Sequence, residues 1–222
     1  AIAALEGLEL AYSYMQKKFT TEGETVAPLW VKDGKKLSEW SFWNFGEQAK
    51  LGFPFEDGEE VLIDKRAASY FYVTFLPNKL GGATFYLTGL RDSDGNMLNG
   101  KDTYKLNVPA DVPAKDFWSA IVYNMETKNF NRGVDRVGAS TKDLDKMVKN
   151  DDGSVNVYYA PNLDEVPEGF EANWVTTQSA TNANDWFFLF RLYRPETKEW
   201  LREQYGRTRQ HCRQVSVHGR SS

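Results

Sequence analysis

Hydrophobic positions change their spacing along the 222 residues. In AIAALEGLELAYSYMQKKF, residues Ile2, Leu5, Leu8, Tyr12 and Met15 recur three or four apart, the period of an amphipathic helix that Thr20-Thr21-Glu22-Gly23 ends. Beyond it Trp30, Trp40, Phe42, Trp43, Phe45 and Phe53 stand among Gly34, Gly46, Gly52, Pro54 and Gly58. That mixture predicts irregular connection with short helical turns and aromatic anchors. The stretch IDKRAASYFYVTFLPNKL fits a helix by its Ala67-Ala68 pair or a strand by Tyr70–Phe75. We read it as a helix capped by Asp64 and closed by Pro77.

From Gly82 onward the pattern is that of short strands. TFYLTGLRD, TYKLNVP, FWSAIVYNM, SVNVYYAP and WFFLFRLYRP are five apolar or alternating runs separated by Asp-Gly, Asn-Gly and Pro. This predicts an antiparallel sandwich or barrel. No internal repeat or low-complexity segment interrupts it.

RDSDGNMLNG, residues 91–100, has the look of a calcium loop in Asp92, Asp94 and Asn96. An EF-hand needs Gly at its sixth position and Glu at its twelfth, and here those are Met97 and Thr103. Asp94-Gly95 and Asn99-Gly100 instead suit a hairpin joining TFYLTGL to TYKLNVP. Asn150–Ser154 reads as a second turn, and no metal site is expected.

Composition excludes several functions. Hydrophobic residues are 41% and charged ones 26%, which is ordinary for a globular chain. Aromatics reach 14%, enough to fill a core or to line a concave surface. The net charge is −4, and Arg207, Arg209, Arg213 and Arg220 of the tail contribute four positive charges, leaving residues 1–204 at −8. An acidic body of this kind argues against nucleic acid as a partner. No run approaches the roughly 20 apolar residues of a membrane-spanning helix. The chain opens without Met or a basic-then-apolar segment, so a signal peptide is expected to be absent or removed. One cysteine, Cys212, makes no internal disulfide. Both histidines, His211 and His218, lie in the last dozen residues, which leaves the body without an imidazole for a Ser-His-Asp system or a catalytic zinc. Carboxylate or Tyr/Arg chemistry remains open. Asp116, Asp135, Asp152 and Asp185 are expected on a solvated face.

Arg191 interrupts the apolar run FFLFRLYRP and must meet a carboxylate, carbonyls or a ligand, because a lone buried cation is costly. A structural salt bridge is the commoner outcome. Phe117-Trp118-Ser119 and Asn173-Trp174 read either as core anchors with satisfied polar tips or as a pocket wall.

Several short motifs recur in one order: D-x-x-G at Asp92, L-x-G at Leu98, Y-x-L-x-x-P at Tyr104, P-x-x-x-F-W-S at Pro113, D-G-S at Asp152, N-W at Asn173 and R-x-Y-x-P at Arg191. Over about residues 83–195 this succession resembles the bacterial domain of unknown function 1214. The resemblance implies a fold that is mainly β, a jelly-roll-like antiparallel β-sandwich, here with an N-terminal helical extension. It implies no activity and no catalytic residues. Longer relatives carry a partner domain, number 1254, often after an export signal, which suggests a periplasmic or secreted location. The organisation expected is a helical and irregular extension over 1–80, the sandwich over 81–200 and a basic tail over 201–222. The tail, KEWLREQYGRTRQHCRQVSVHGRSS, departs from the family's usual Trp and Pro ending and reads as a helix leading into a disordered end, or as a different reading frame.

The leading expectation is a binding or accessory module whose aromatic cleft takes a small-molecule or sugar-like ligand, lined by Trp118, Tyr123, Arg136, Trp174 and Arg191. No cofactor is expected. One rival is a histidine-independent hydrolase or lyase using Asp116, Tyr123 and Arg136. The other is an assembly domain that forms a homo-oligomer through exposed aromatics.

Overall fold

A computed structural model of the chain describes residues 2–20, 26–28, 31–33, 35–36, 38–43, 55–64, 66–67, 84–178, 185–195 and 213–214. In chain order its elements are α1 (Ile2–Thr20), β1 (Val26–Pro28), β2 (Val31–Lys32), β3 (Lys35–Lys36), β4 (Trp40–Trp43), β5 (Glu56–Asp57), β6 (Glu60–Val61), β7 (Thr84–Gly89), β8 (Tyr104–Val108), β9 (Ala114–Asn124), β10 (Gly138–Ser140), β11 (Val155–Ala160), β12 (Trp174–Thr176), β13 (Trp186–Pro195) and β14 (Arg213–Gln214). Two compact units emerge, residues 1–28 with 42–81 and residues 29–41 with 82–222.

In the first unit α1 forms where the three-and-four spacing places it, but residues 2–14 are all exposed and Phe19 is its buried side chain. β5 and β6 make a small hairpin turned at Gly58, which sits at φ +64°. The helix expected from Asp64 begins earlier: the Arg66 amide donates to the Leu62 carbonyl, so Asp64 lies in the first turn rather than at the cap. Residues 68–83, with most of that expected helix, lie outside the described residues.

The second unit is mainly β, with antiparallel sheets. Its larger sheet runs β4–β7–β13–β9–β10, and its smaller one runs β12–β11–β8–β14. All five strands expected from the alternation are present, as β7, β8, β9, β11 and β13. Along a strand successive side chains point to opposite faces. Leu87, Trp118, Ala120, Val122, Trp186, Phe188, Phe190 and Leu192 therefore leave one face of the larger sheet, and Tyr104, Leu106, Val108, Val155, Val157, Tyr159 and Val175 leave one face of the smaller. The two sets form a single hydrophobic core. Edge-on and tilted ring contacts cross it from Trp186 to Tyr104 and Tyr159 at 5.6 and 5.0 Å.

Four expectations need correction. β7 and β8 do not pair with each other; they belong to opposite sheets. The turn after β7 closes only a small ladder, in which Arg91 faces Met97 and the Leu98 amide donates to the Leu90 carbonyl. It then delivers the chain to the other layer. The sheets are also not wholly antiparallel, because β11 and β12 run parallel. β10 and β12, unforeseen in the sequence, exist through their pairing. Gly138 is required in β10, since a Cβ there would lie 2.4 Å from the Ala120 carbonyl oxygen. In the tail, Arg213 and Gln214 are extended and pair with Lys105 and Tyr104, where a helix or a disordered end was expected. Residues 196–212 and 215–222 lie outside the described residues.

Candidate functional site

The outward face of the larger sheet holds a buried polar atom without a hydrogen-bond partner among the described residues, Arg191 Nε. On β13 the outward positions are Phe187, Leu189, Arg191 and Tyr193. Register places Tyr123, Ile121, Ser119 and Phe117 of β9 beside them, and Thr88, Tyr86 and Thr84 of β7 beside Leu189, Arg191 and Tyr193. Arg191 thus lies between Tyr86 and Ser119, with Tyr123 further along the same face. Its guanidinium carbon sits 5.5 Å from the Tyr86 ring centroid and 5.6 Å from that of Tyr123, and its Nη2 donates to the Tyr123 hydroxyl. Its Nε is shut off from solvent and has no acceptor among the described residues. Two residues from Tyr86, Thr88 is fully buried, and its hydroxyl also has no partner among the described residues. Ser119 and Tyr123 are buried, whereas Tyr86 is 37% exposed.

Ring contacts of this kind are worth about 0.5–1 kcal/mol each at open sites and more when dry. They do not replace the acceptor that an Nε–H loses on leaving water. Among the described residues no carboxylate pairs with Arg191; ion pairs formed elsewhere include Lys36–Glu39, Arg136–Asp143 and Arg194–Asp116. The salt bridge expected for Arg191 is not formed among the described residues. Alternation in β13 turns position 191 outward, beside tyrosines and serine rather than an acid.

Of the five expected lining residues, Tyr123 and Arg191 are in direct contact. Trp118 is five positions from Tyr123 on one strand, an odd offset, and so points the other way. It is 4% exposed in the core and stacks on Phe190 at 5.5 Å. Arg136 is a tie: Nε donates to the Gly138 carbonyl at 2.9 Å and Nη1 to the Ala172 and Trp174 carbonyls at 2.7 and 3.0 Å. Trp174, on the smaller sheet, packs against the buried cluster of Tyr158, Ala160 and Val166, its indole N–H donating to the Ala160 carbonyl at 3.1 Å. The expected single cleft lined by all five is therefore not formed. Of the rival's residues, Asp116 is engaged elsewhere. Asp116 is in an exposed ion pair 2.7 Å from Arg194.

The other candidates resolve into structure. Asp92 is 1% exposed and accepts from the Asp94 and Asn96 amides, both at 2.9 Å, and from the Asn96 side chain at 3.2 Å. Its carboxylate closes a turn with Gly95 at φ +87°. Asp152 does the same for Ser154, whose hydroxyl and amide hold its carboxyl below the usual range. No cluster of three metal-ligating side chains occurs among the described residues. Asn173, fully buried, accepts from the Val148 amide at 2.8 Å and donates to the Val148 and Asn156 carbonyls at 2.9 and 2.8 Å. Burial lowers Lys128 to about 8, with nearby Glu126 opposing, while its ammonium donates to the Met125 carbonyl. No helix among the described residues is long and apolar enough to cross a membrane.

Residues 83–197 match the family model described as a protein of unknown function, DUF1214, over more than half of the chain. The chain belongs to the DUF1214 family. Two solved structures resemble this DUF1214 chain. They are the VPA0106 protein of Vibrio parahaemolyticus (19% identity, TM-score 0.47, 68% of this chain and 35% of that one) and a putative uncharacterized protein of Burkholderia cenocepacia (20%, 0.39, 63% and 32%). The chain spans about a third of the length of each. No curated protein matches it. The family brings no site with it, so Tyr86, Thr88 and Ser119, which sequence reasoning left out of the lining, rest on register alone. The legible signal was the parity of β13, which groups 187, 189, 191 and 193. Which residues flank them depends on pairing.

Proposed function

We propose that this DUF1214 domain is a binding module of jelly-roll-like build that takes a small organic ligand on the outward face of its larger sheet, with Tyr86, Arg191 and Tyr123 as its seat. The observation that carries the reading is Arg191: a guanidinium held between two tyrosine rings, its Nε dry and without an acceptor, and no carboxylate partner among the described residues. A cation kept in that state costs stability, and a ligand offering an acceptor recovers the cost. The enzyme reading has less support, because its acid, Asp116, is paired with Arg194 away from Tyr123. A location in the bacterial envelope accompanies the family resemblance and is tested by fractionating cells that express the full-length protein.

A thermal-shift screen of small organic acids, alcohols and sugars tests the binding reading. A ligand present at about 100 times its Kd stabilises the folded state by about 2.7 kcal/mol. The expected result is a rise in melting temperature for the wild type that shrinks in Tyr86→Ala and Arg191→Gln. A screen in which nothing shifts the wild type, or in which every shift survives both substitutions, would sink it.

A further inference from the structure

We infer that the ligand of this face is a small hydroxylated monocarboxylic acid of the sugar-acid type, its carboxylate on Arg191 and a hydroxyl on Thr88. The inference rests on the binding reading above. Charge selects the single carboxylate. The outward neighbours of Arg191 in register are Tyr86, Thr88, Ser119, Ile121, Tyr123 and Leu189, none of them charged at neutral pH. Among these register neighbours the fixed charge is that of one guanidinium, which a monoanion neutralises; the Lys142 ammonium stands further along the face, 5.9 Å from the centroid of the Phe117 ring. A doubly charged phosphate would keep one charge uncompensated in a dry setting.

Shape selects the same group. Nη2 already gives one hydrogen to the Tyr123 hydroxyl. Nε–H and one of the two Nη2 hydrogens lie along one edge of the planar guanidinium, the fork that fits the two oxygens of a carboxylate. Nε is the atom without an acceptor. The Thr88 hydroxyl supplies the remaining requirement, being fully buried with no partner and able both to donate to and to accept from a ligand hydroxyl. The Tyr86 and Tyr123 rings offer apolar faces to the carbon frame, and Tyr86, the exposed wall, is where a ligand enters.

Calorimetric titration of the 222-residue chain with galacturonate and galactose, which differ in the carboxylate, tests the charge. Propionate against lactate tests the hydroxyl. Galacturonate is expected to bind about ten- to a hundredfold more tightly than galactose, the range a charge-assisted hydrogen bond supplies. Arg191→Gln is expected to erase that preference, Arg191→Lys to keep part of it, and Thr88→Val to remove only the advantage of lactate over propionate. Circular-dichroism melts establish that each variant is folded. Galactose binding as tightly as galacturonate, with both lost in Tyr86→Ala, overturns this inference and leaves the binding reading standing. A wild type that binds none of the four, in a thermal-shift screen where other compounds succeed, overturns it as well. If nothing succeeds in the screen, the binding reading itself falls.

Discussion

Replacing Arg191 by Met and Tyr123 by Phe in one chain asks whether this pair is held for stability or for something outside the fold. The exchange removes a hydrogen bond to a charged group, worth about 1.5–3 kcal/mol, and two ring contacts of about 0.5–1 kcal/mol each. Against that loss of about 2.5–5 kcal/mol stand two returns. The guanidinium no longer has to leave water, a penalty of several kcal/mol per ion, and the stranded Nε, costing about 1–3 kcal/mol, is gone. The terms nearly cancel, so the double variant should lie within about 1 kcal/mol of wild type or above it, a melting change within about 4 °C for a chain of this size. Arg191→Met alone strands the buried Tyr123 hydroxyl and should fall about 1–3 kcal/mol below the double variant. Urea unfolding of wild type, both single variants and the double variant closes the cycle. A double variant more than about 2 kcal/mol less stable than wild type would show that the pair is structural, and the case for a ligand at Arg191 would lose its physical basis.

Other consequences are separable. Asn173→Ala deletes three hydrogen bonds that pin residue 148 to β11 and should cost about 3 kcal/mol by urea unfolding; a loss below about 0.5 kcal/mol would mean that water takes the amide's place. Gly138→Ala places a methyl against the Ala120 carbonyl and should detach β10, seen as faster amide exchange from Ile121 to Ser119, whereas unchanged exchange contradicts the close approach. Lys128 has a folded pKa of about 8, below its ordinary 10.5, so the unfolded state binds more protons between those values. Wild-type stability relative to Lys128→Met should therefore rise from pH 8 to pH 10.5, and a flat difference would refute the burial effect. Calcium should leave the melting temperature unchanged, because the Asp92 carboxylate is already taken up by its own turn.

Strand identity was legible wherever an apolar or alternating run extends over five or more residues. WFFLFRLYRP and FWSAIVYNM needed nothing else to be recognised. Gly-Ala-Ser at 138–140 and Trp-Val-Thr at 174–176 carry no such pattern and are strands only because Ser119–Ile121 and Tyr158–Ala160 lie beside them. The candidate site divides in the same way. Trp118 and Tyr123 could have been separated by counting, since an odd offset along a strand means opposite faces. Arg136 could not have been assigned, because two of its three carbonyl partners lie 36 and 38 residues away. The turn at Asp94-Gly95 was correct chemistry with the wrong consequence: local sequence sets a reversal but not the layer to which the next strand goes.

The middle of the larger sheet is the strand that a ribosome would deliver late. β13 begins at Trp186 and lies between β7 and β9, both finished more than 60 residues earlier. During synthesis those two must wait with unpaired edges and bare apolar faces, a state prone to aggregation and suited to chaperone capture. A nascent chain released before residue 195 would have no central seam to zip, and the arginine seat, carried on that same strand, would be among the last features to appear.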